Sequence, residues 1–160
     1  MHRFSKFAAA AAIAALAILV APRSAEAQTA TNSFTVTATV GKACTVSAAP
    51  IVIASYDPNN AVPTVGTTNV NVACTKGTTY TTFLSSANTW RLLDTSTPAN
   101  VLTYAITQGS SATAWNATSG WAGSAPGRAP VPYVATATLA AGQDVPPGNY
   151  TDKVTVNVNY

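Results

Sequence analysis

Few side chains in this sequence can do chemistry, and what is missing excludes most reactions. The chain has 160 residues, of which 8% are charged, and its one histidine is His2. Residues 28–160 contain no His, Glu or Met, so neither a Ser-His-Asp nor a Cys-His site can form there. Paired catalytic carboxylates would need two of only four aspartates. No Ser-x-x-Lys or Gly-x-Ser-x-Gly motif is present, and we predict that the protein is not an enzyme.

The stretch Asp57-Pro58-Asn59-Asn60 is the one segment that suggests oxygen ligands for a metal ion. Calcium takes about six to eight oxygen ligands, and no second acidic cluster lies nearby in the sequence. Asp, Pro and Asn also favour tight turns. We therefore predict a turn at this position, and neither a metal nor another cofactor.

The N-terminus has the pattern of a cleaved secretory signal peptide. A positive region (His2, Arg3 and Lys6) precedes an apolar region at 7–20, and Ala25-Glu26-Ala27 offers a small-x-small cleavage site. An apolar run of about 14 residues is shorter than the roughly 20 that span a bilayer. We predict export, with no transmembrane anchor in the mature chain.

Export determines how the two cysteines, Cys44 and Cys74, are interpreted. Exported proteins fold in an oxidising compartment, where paired cysteines form disulfides. The spacing is far from C-x-x-C, and no histidine remains in the mature chain to complete a zinc site. We predict a structural disulfide, which closes a loop of about 30 residues and stabilises the fold by ~3.5 kcal/mol in the chain-entropy model.

Nucleic acid is not a predicted partner of this chain. After residue 27 the chain keeps five basic and four acidic residues, so its charge is nearly balanced. No basic run or stripe is available to neutralise phosphates.

The elements that carry these residues are predicted to be β-strands. Thr makes up 25 of the 133 residues after residue 27, and β-branched side chains pack well on a pleated sheet. Alternation of apolar and polar residues marks runs at 33–40, 44–48, 68–74, 79–84, 101–107, 131–139 and 150–160. Short strands with Gly, Pro or Asn turns and one disulfide predict an all-β, immunoglobulin-like sandwich. The segment 109–129 is less regular, a long loop or a broken strand pair.

Two of these runs lack an evident partner. The 33–40 run is separated from Cys44 by only three residues, and the 150–160 run reaches the end of the sequence without a covering strand. Uncovered edges invite pairing with another molecule. The alternative for 33–40 is an ordinary first strand of a closed sandwich, which the alternation alone does not exclude.

Three stretches resemble a known family. They are Phe34-Thr35-Val36-Thr37-Ala38-Thr39-Val40, the directly following Cys44-Thr45-Val46, and Gly148-Asn149-Tyr150-Thr151-Asp152 with the alternating residues up to Tyr160. Together they resemble the spore coat protein U domain, the pilin module of archaic chaperone–usher pili. The closing Gly-x-Tyr-x-Asp with its terminal aromatic is the most specific of the three.

The resemblance implies an incomplete immunoglobulin-like sandwich of the pilin type, which lacks its final strand. It divides the chain into a signal peptide (1–27), an N-terminal donor-strand segment (28–41) and a pilin domain (42–160). The implied donor residues are Phe34, Val36, Ala38 and Val40, and the implied edge of the acceptor groove is Val154, Val156, Val158 and Tyr160. The implied partners are identical or homologous pilin subunits, a periplasmic chaperone and an outer-membrane usher.

The function implied by the resemblance is a structural pilus subunit, joined by donor-strand exchange, that supports adhesion or biofilm formation. The chain would reach the periplasm and then the cell surface, or be secreted. Two other functions stay open: a secreted sandwich that binds a carbohydrate or surface, and a spore or cell coat protein. Trp115 and Trp121 are the candidate surface-binding residues, because loop aromatics can contact sugar rings, although core packing is the commoner role of Trp.

Overall fold

The computed structural model describes residues 26–160, so residues 1–25 of the predicted signal peptide lie outside the described residues. Residues 39–160 form one compact unit, and the described residues before it, 26–38, belong to a second one. Every regular element in the described range is a β-strand, which confirms the all-β prediction. Over the same range, no helix is long and apolar enough to cross a membrane.

The unit 39–160 contains nine strands. They are β1 (Cys44–Ala48), β2 (Thr64–Cys74), β3 (Thr79–Ser86), β4 (Arg91–Asp94), β5 (Val101–Gln108), β6 (Trp121–Ser124), β7 (Val131–Leu139), β8 (Tyr150–Thr151) and β9 (Val154–Asn159). The runs predicted at 44–48 and 131–139 coincide with β1 and β7, and β2, β3 and β5 extend their predicted runs by a few residues. Alternation therefore locates the strands that have one face in the core.

Within the unit 39–160, two parts of the strand prediction are wrong. The 150–160 run is two strands rather than one, because Asp152 and Lys153 lie outside the ladder and the Asp152 carboxylate accepts a hydrogen bond from the Asn88 amide instead. The strands β4 and β6 were not predicted. Each has only four residues, which is too short for a period of two to be recognised.

The strands form two sheets, one in the order β1-β2-β7-β5-β4-β8 and one in the order β6-β3-β9. Every pairing in them is antiparallel. An immunoglobulin sandwich has strands A, B, E and D in one sheet and C, F and G in the other. Here β1, β2, β7 and β5 follow the order A-B-E-D, and β3 and β9 take the places of C and F. No strand of the described residues occupies the place of G, beside β9.

The core lies between the two sheets and is filled by alternate residues of the long strands. The buried members include Val70 and Val72 on β2, Ala135, Ala137 and Leu139 on β7, and Tyr80 and Leu84 on β3. Full burial of each large apolar side chain stabilises the fold by about 1.5–3 kcal/mol. These rows therefore hold the two sheets together.

The predicted disulfide between Cys44 and Cys74 is present. The two residues lie directly opposite each other in the β1–β2 ladder, and the Thr75 amide donates to the Ala43 carbonyl oxygen at 2.9 Å beside them. The bond therefore fixes β1, an edge strand, to its only ladder partner among the described strands.

The predicted run at 33–40 has no assigned strand. Phe34, Val36 and Val40 are 88%, 81% and 82% exposed, and Ala38 is exposed as well. Large apolar side chains exposed in one row are typical of an interaction site.

Candidate functional site

One row of side chains on β1 faces the core but is not covered by it. Val46 lies opposite Val72 in the β1–β2 ladder, and Ala48 lies opposite Val70. Residues directly opposite each other in a ladder point to the same face. Val70 and Val72 are nevertheless buried, whereas Val46 is 40% exposed and Ala48 is exposed too.

A second incompletely covered row lies on β9. Val154, Val156 and Val158 pack against the core but stay partly exposed, and they alternate with exposed polar residues. β9 pairs only with β3 among the described strands, from Thr81 opposite Asn159 to Ser86 opposite Val154. Its other edge therefore presents backbone N–H and C=O groups without a ladder partner. Tyr160 follows with the same alternation and is exposed.

The two rows border one opening, which we call the β1–β9 cleft: Val46 and Ala48 on β1, with Val154, Val156 and Val158 on β9. Cα atoms of the two strands approach within 8 Å, yet no ladder joins them in the described residues. The cleft is an apolar strip between two unpaired strand edges. Such a strip suits an additional β-strand, because the edge of β9 supplies hydrogen bonds and the rows supply apolar contacts.

A pocket of about 620 Å³ lies at Val154, at one end of the cleft. Its floor is formed by core side chains of the larger sheet, Leu102, Ile106 and Leu139. Ile51 and Ile53, which follow β1 in the chain, line one side. A side chain that enters this pocket therefore contacts the core of the sandwich directly.

The side of the pocket that follows β1 depends on a glycine and a tyrosine. A Cβ atom at Gly66 would lie 2.7 Å from Ile51 Cγ2 and 2.9 Å from Ile53 Cγ1, so both isoleucines approach β2 this closely only because a glycine is there. The Tyr56 hydroxyl donates to the Ala140 carbonyl oxygen at 2.8 Å and accepts from the Gln143 amide at 2.8 Å. Residues 51–56 are thereby held against the pocket.

The Gly-x-Tyr-x-Asp sequence forms the opposite side of the pocket and leads into β9. A Cβ atom at Gly148 would lie 2.9 Å from an Asp94 carboxylate oxygen, and the Tyr150 hydroxyl donates to the Pro146 carbonyl oxygen at 2.8 Å. Asp152 accepts hydrogen bonds from the Tyr104 hydroxyl at 2.7 Å and from the Ser86 hydroxyl. The three signature residues therefore fix the loop that positions β9.

Two ionisable groups near the pocket each keep a single protonation state around neutral pH. Burial raises the pKa of Tyr104, and its hydrogen bond to Asp152 raises it further, so the hydroxyl remains a donor. The Ser96 amide, which donates to Asp94 at 2.8 Å, holds the pKa of that carboxyl below its ordinary value, against an opposing effect of burial. Neither arrangement resembles a catalytic acid or base that is poised near neutral pH.

The segment at Asp57 is a turn, as predicted. The Asn60 amide donates to the Asp57 carbonyl oxygen at 3.1 Å, and the Asn59 amide donates to the Asp57 carboxylate at 2.9 Å. In the described part of the chain, no group of three or more His, Cys, Asp or Glu side chains is placed to hold a metal.

The hypothesis that Trp115 contacts an external surface is wrong. Trp115 is 0% exposed, and its indole N–H donates to the Thr82 carbonyl oxygen at 3.0 Å. Its ring packs edge to face on Trp121 at 5.3 Å between centroids, and Trp121 packs on Tyr133 at 4.9 Å. Trp121 is only partly exposed. The two tryptophans join the irregular segment to the core, because their aromatic contacts outweigh the local preference for a loop.

Sequence reasoning found the β9 row of the cleft but missed the β1 row and the pocket. The signal for Val46 was the alternation at 44–48, which shows a face but not whether that face is covered. Ile51 and Ile53 alternate as well, and Gly66 is the further signal that something packs closely against β2.

Comparisons with known proteins give two findings. The model of the Spore Coat Protein U domain matches residues 30–157. Among solved structures, the chain is similar to one from the CsuC–CsuE chaperone–tip adhesion subunit pre-assembly complex of the archaic chaperone-usher Csu pili of Acinetobacter baumannii. That match has 23% sequence identity and a TM-score of 0.58, and it covers 76% of this chain and 41% of the other. This chain thus spans less than half the length of the one it resembles, and the likeness is one of fold. No curated protein matches.

Proposed function

Because the chain belongs to the Spore Coat Protein U domain family, we propose that it is a structural subunit of a cell-surface pilus assembled by the chaperone–usher route. Its subunits join by donor-strand exchange, in which a segment of one molecule completes the sandwich of the next. The resulting fibre supports adhesion or biofilm formation. Catalysis has no part in this function.

The observation that carries this proposal is the β1–β9 cleft. The sandwich has strands at the places of A to F, but none of the described strands lies beside β9 at the place of G. Val46 and Ala48 on one side, and the three valines of β9 on the other, are left partly or largely exposed. One inserted strand would cover both rows and pair with the free edge of β9. In this proposal Val154, Val156, Val158 and Tyr160 edge the acceptor groove.

The inserted strand comes from residues 33–40 of a second subunit. The chemistry is complementary, because Phe34, Val36, Ala38 and Val40 present an apolar row and the cleft offers apolar rows of similar length. Burial of one Phe and two Val side chains stabilises the contact by about 5–8 kcal/mol. Each subunit then carries one donor and one groove, so assembly is head to tail and produces an open fibre.

Assembly of this kind needs further partners. A subunit with an open groove exposes apolar surface and is prone to aggregate, so a periplasmic chaperone would cover the groove until the subunit reaches an outer-membrane usher. The predicted signal peptide would bring the chain to the periplasm, and the fibre would lie at the cell surface. The solved relative is a chaperone–subunit complex of its own pilus system, which supports this assignment of partners by analogy.

The two other functions are less well supported. A carbohydrate-binding role relied on exposed tryptophans, and Trp115 is fully buried. A coat protein on a spore or cell surface would not need an unfilled strand position. We therefore retain the pilus subunit as the function of this chain.

The experiment that tests the proposal is expression of the full-length chain alone, with a cognate chaperone, and with chaperone and usher together. We expect aggregation or degradation alone, a soluble one-to-one complex with the chaperone, and fibres visible by electron microscopy when the usher is added. A chain that is soluble and monomeric without any chaperone would contradict the proposal.

A further inference from the structure

The donor row and the β9 row match residue by residue, and we infer from this the register and direction of the inserted strand. This inference rests on the proposed function and adds which residues meet. The donor strand runs antiparallel to β9 of a second copy of this chain. In that alignment Val40 lies opposite Val154, Ala38 opposite Val156, Val36 opposite Val158 and Phe34 opposite Tyr160.

The first reason is the complete use of both apolar rows. The donor row alternates with Thr35, Thr37 and Thr39, and the β9 row alternates with Thr155, Asn157 and Asn159. In the inferred register every apolar donor residue faces an apolar residue of β9, and every threonine faces a hydroxyl or amide side chain. The two aromatic residues, Phe34 and Tyr160, face each other, which is a favourable cross-strand pair.

The second reason is charge, because the register places Lys42 of the donor chain opposite Asp152. The Asp152 carboxylate is surrounded by uncharged donors: the Ser86 and Tyr104 hydroxyls and the Asn88 and Lys153 backbone amides. Lys42 is exposed. Asp152 precedes β9 by two residues, so the two opposite charges meet just beyond the ladder, where their attraction favours this register over its neighbours.

The neighbouring registers conflict with the same residues. A shift by two residues in one direction puts Val40 against the Asp152 carboxylate, and a shift in the other direction puts the Lys42 ammonium against Val154. A shift by one residue turns the threonines into the cleft. A parallel strand would carry Lys42 away from Asp152, and every ladder of the described fold is antiparallel.

The donor chain is tied to its own domain just after Val40. The Thr75 hydroxyl donates to the Gly41 carbonyl oxygen at 3.2 Å and accepts from the Ala43 amide at 3.1 Å. With Val40 in the groove of the next subunit and Gly41 held by its own, no free linker separates the two subunits, and Lys42 lies at their junction. The register then brings the disulfide end of the donor subunit to the Asp152 end of the acceptor.

Pairs of cysteines on the polar rows test the register in assembled fibres. Facing residues of two strands are within the range that a disulfide spans. Full-length variants Thr35→Cys/Asn159→Cys and Thr39→Cys/Thr155→Cys carry facing positions, so we expect a ladder of covalent oligomers on a non-reducing gel. The matched controls are Thr35→Cys/Asn157→Cys and Thr39→Cys/Asn157→Cys for the two shifted registers, and Thr35→Cys/Thr155→Cys for a parallel strand. Peptide mapping confirms that Cys44 and Cys74 keep their native bond.

The crosslinking results test the register, the strand direction and the pairing with β9 separately. Ladders in the two facing variants and in no control support the register. A ladder in a control overturns the register or the direction but leaves donor-strand exchange standing. Fibres without a ladder in any variant overturn pairing with β9 of a second copy, and a bond closed within one subunit does the same.

A charge substitution provides an independent readout if a cysteine variant does not assemble. Lys42→Glu should reduce fibre yield several-fold, because it places a carboxylate against Asp152, whereas Lys42→Arg should assemble as the wild type does. Equal yields for both variants would overturn the contact with Asp152 and the register with it. The proposed function fails separately if a variant that lacks residues 33–40 still forms fibres.

Discussion

Val46 and Val72 lie opposite each other on β1 and β2, yet only Val46 is exposed to solvent. Both side chains point toward the interior of the sandwich, so the difference arises from what lies across from them. Val72 is covered by the second sheet, whereas no described strand reaches far enough to cover Val46. The position that would cover it is the one beside β9.

The first prediction concerns the row that we propose to fill this position. Val36→Asp would carry a carboxylate into an apolar groove, where an unpaired charge is far more costly than the loss of one apolar contact. We expect fibres to be abolished while the chaperone-bound subunit stays soluble, since in the proposed assembly route the chaperone fills the groove with its own strand. The measurement is fibre yield by electron microscopy beside co-purification of the chaperone.

The control for this substitution is Thr37→Ser, on the opposite row, which should assemble almost normally. If Val36→Asp forms fibres at the wild-type level, the donor assignment fails. If it also destroys the chaperone complex, residues 33–40 belong to the core of their own subunit.

The second prediction concerns the bond that holds β1 at the edge of the cleft. Replacement of Cys44 and Cys74 by Ser should lower the stability of the subunit by about 3–4 kcal/mol, because the unfolded chain regains the freedom of a loop of about 30 residues. Tryptophan fluorescence follows guanidinium unfolding of fibres, since Trp115 lies in the core. A thiol reductant should lower the guanidinium midpoint of wild-type fibres to that of the double variant. Unchanged midpoints in both would show that the bond contributes nothing to stability.

Much of the fold could be predicted from alternation, but only for strands with one buried face. Val131–Leu139 alternates over nine residues and coincides with its prediction. Arg91–Asp94 reads Arg-Leu-Leu-Asp, and its pairing with Val101 and Leu102 is decided by contacts across the β4–β5 turn. The burial of Trp115 is similarly non-local, because its partner carbonyl belongs to Thr82 on a distant strand. A Gly- and Ser-rich neighbourhood predicts a loop and does not show where that loop packs.

The candidate site was only half predictable for the same reason. The β9 row can be predicted from the alternation at 150–160, since alternating valines indicate one apolar strand face whichever strands lie next to it. Exposure of Val46 depends on which strands become adjacent, and the pocket depends on Ile51 and Ile53 crossing Gly66. Both are properties of the assembled sandwich, and no local pattern encodes them.

The third prediction tests the close packing of Gly123, on β6, against Tyr133. A Cβ atom at Gly123 would overlap the hydroxyl of Tyr133, which is buried and donates to the Tyr80 hydroxyl at 2.9 Å. Gly123→Ala should therefore destabilise the subunit by about 1–3 kcal/mol, the usual cost of overpacking. Gly127→Ala is the matched control, because nothing lies within 4 Å of a Cβ atom there. Equal unfolding midpoints for the two variants would show that Tyr133 moves aside freely.

The fourth prediction is a loss of stability in acid that depends on Asp94. The Ser96 amide lowers the pKa of this carboxyl from 3.8 in the folded protein. Since the folded pKa lies below the unfolded one, the stabilisation is fully present above pH 3.8 and is lost as the pH falls through the folded pKa. Asp94→Asn cannot ionise, so its melting temperature should fall less than that of the wild type between about pH 6 and about pH 2. The two melting temperatures should converge toward low pH, and parallel profiles would show that the Asp94 carboxylate does not stabilise the loop before β9.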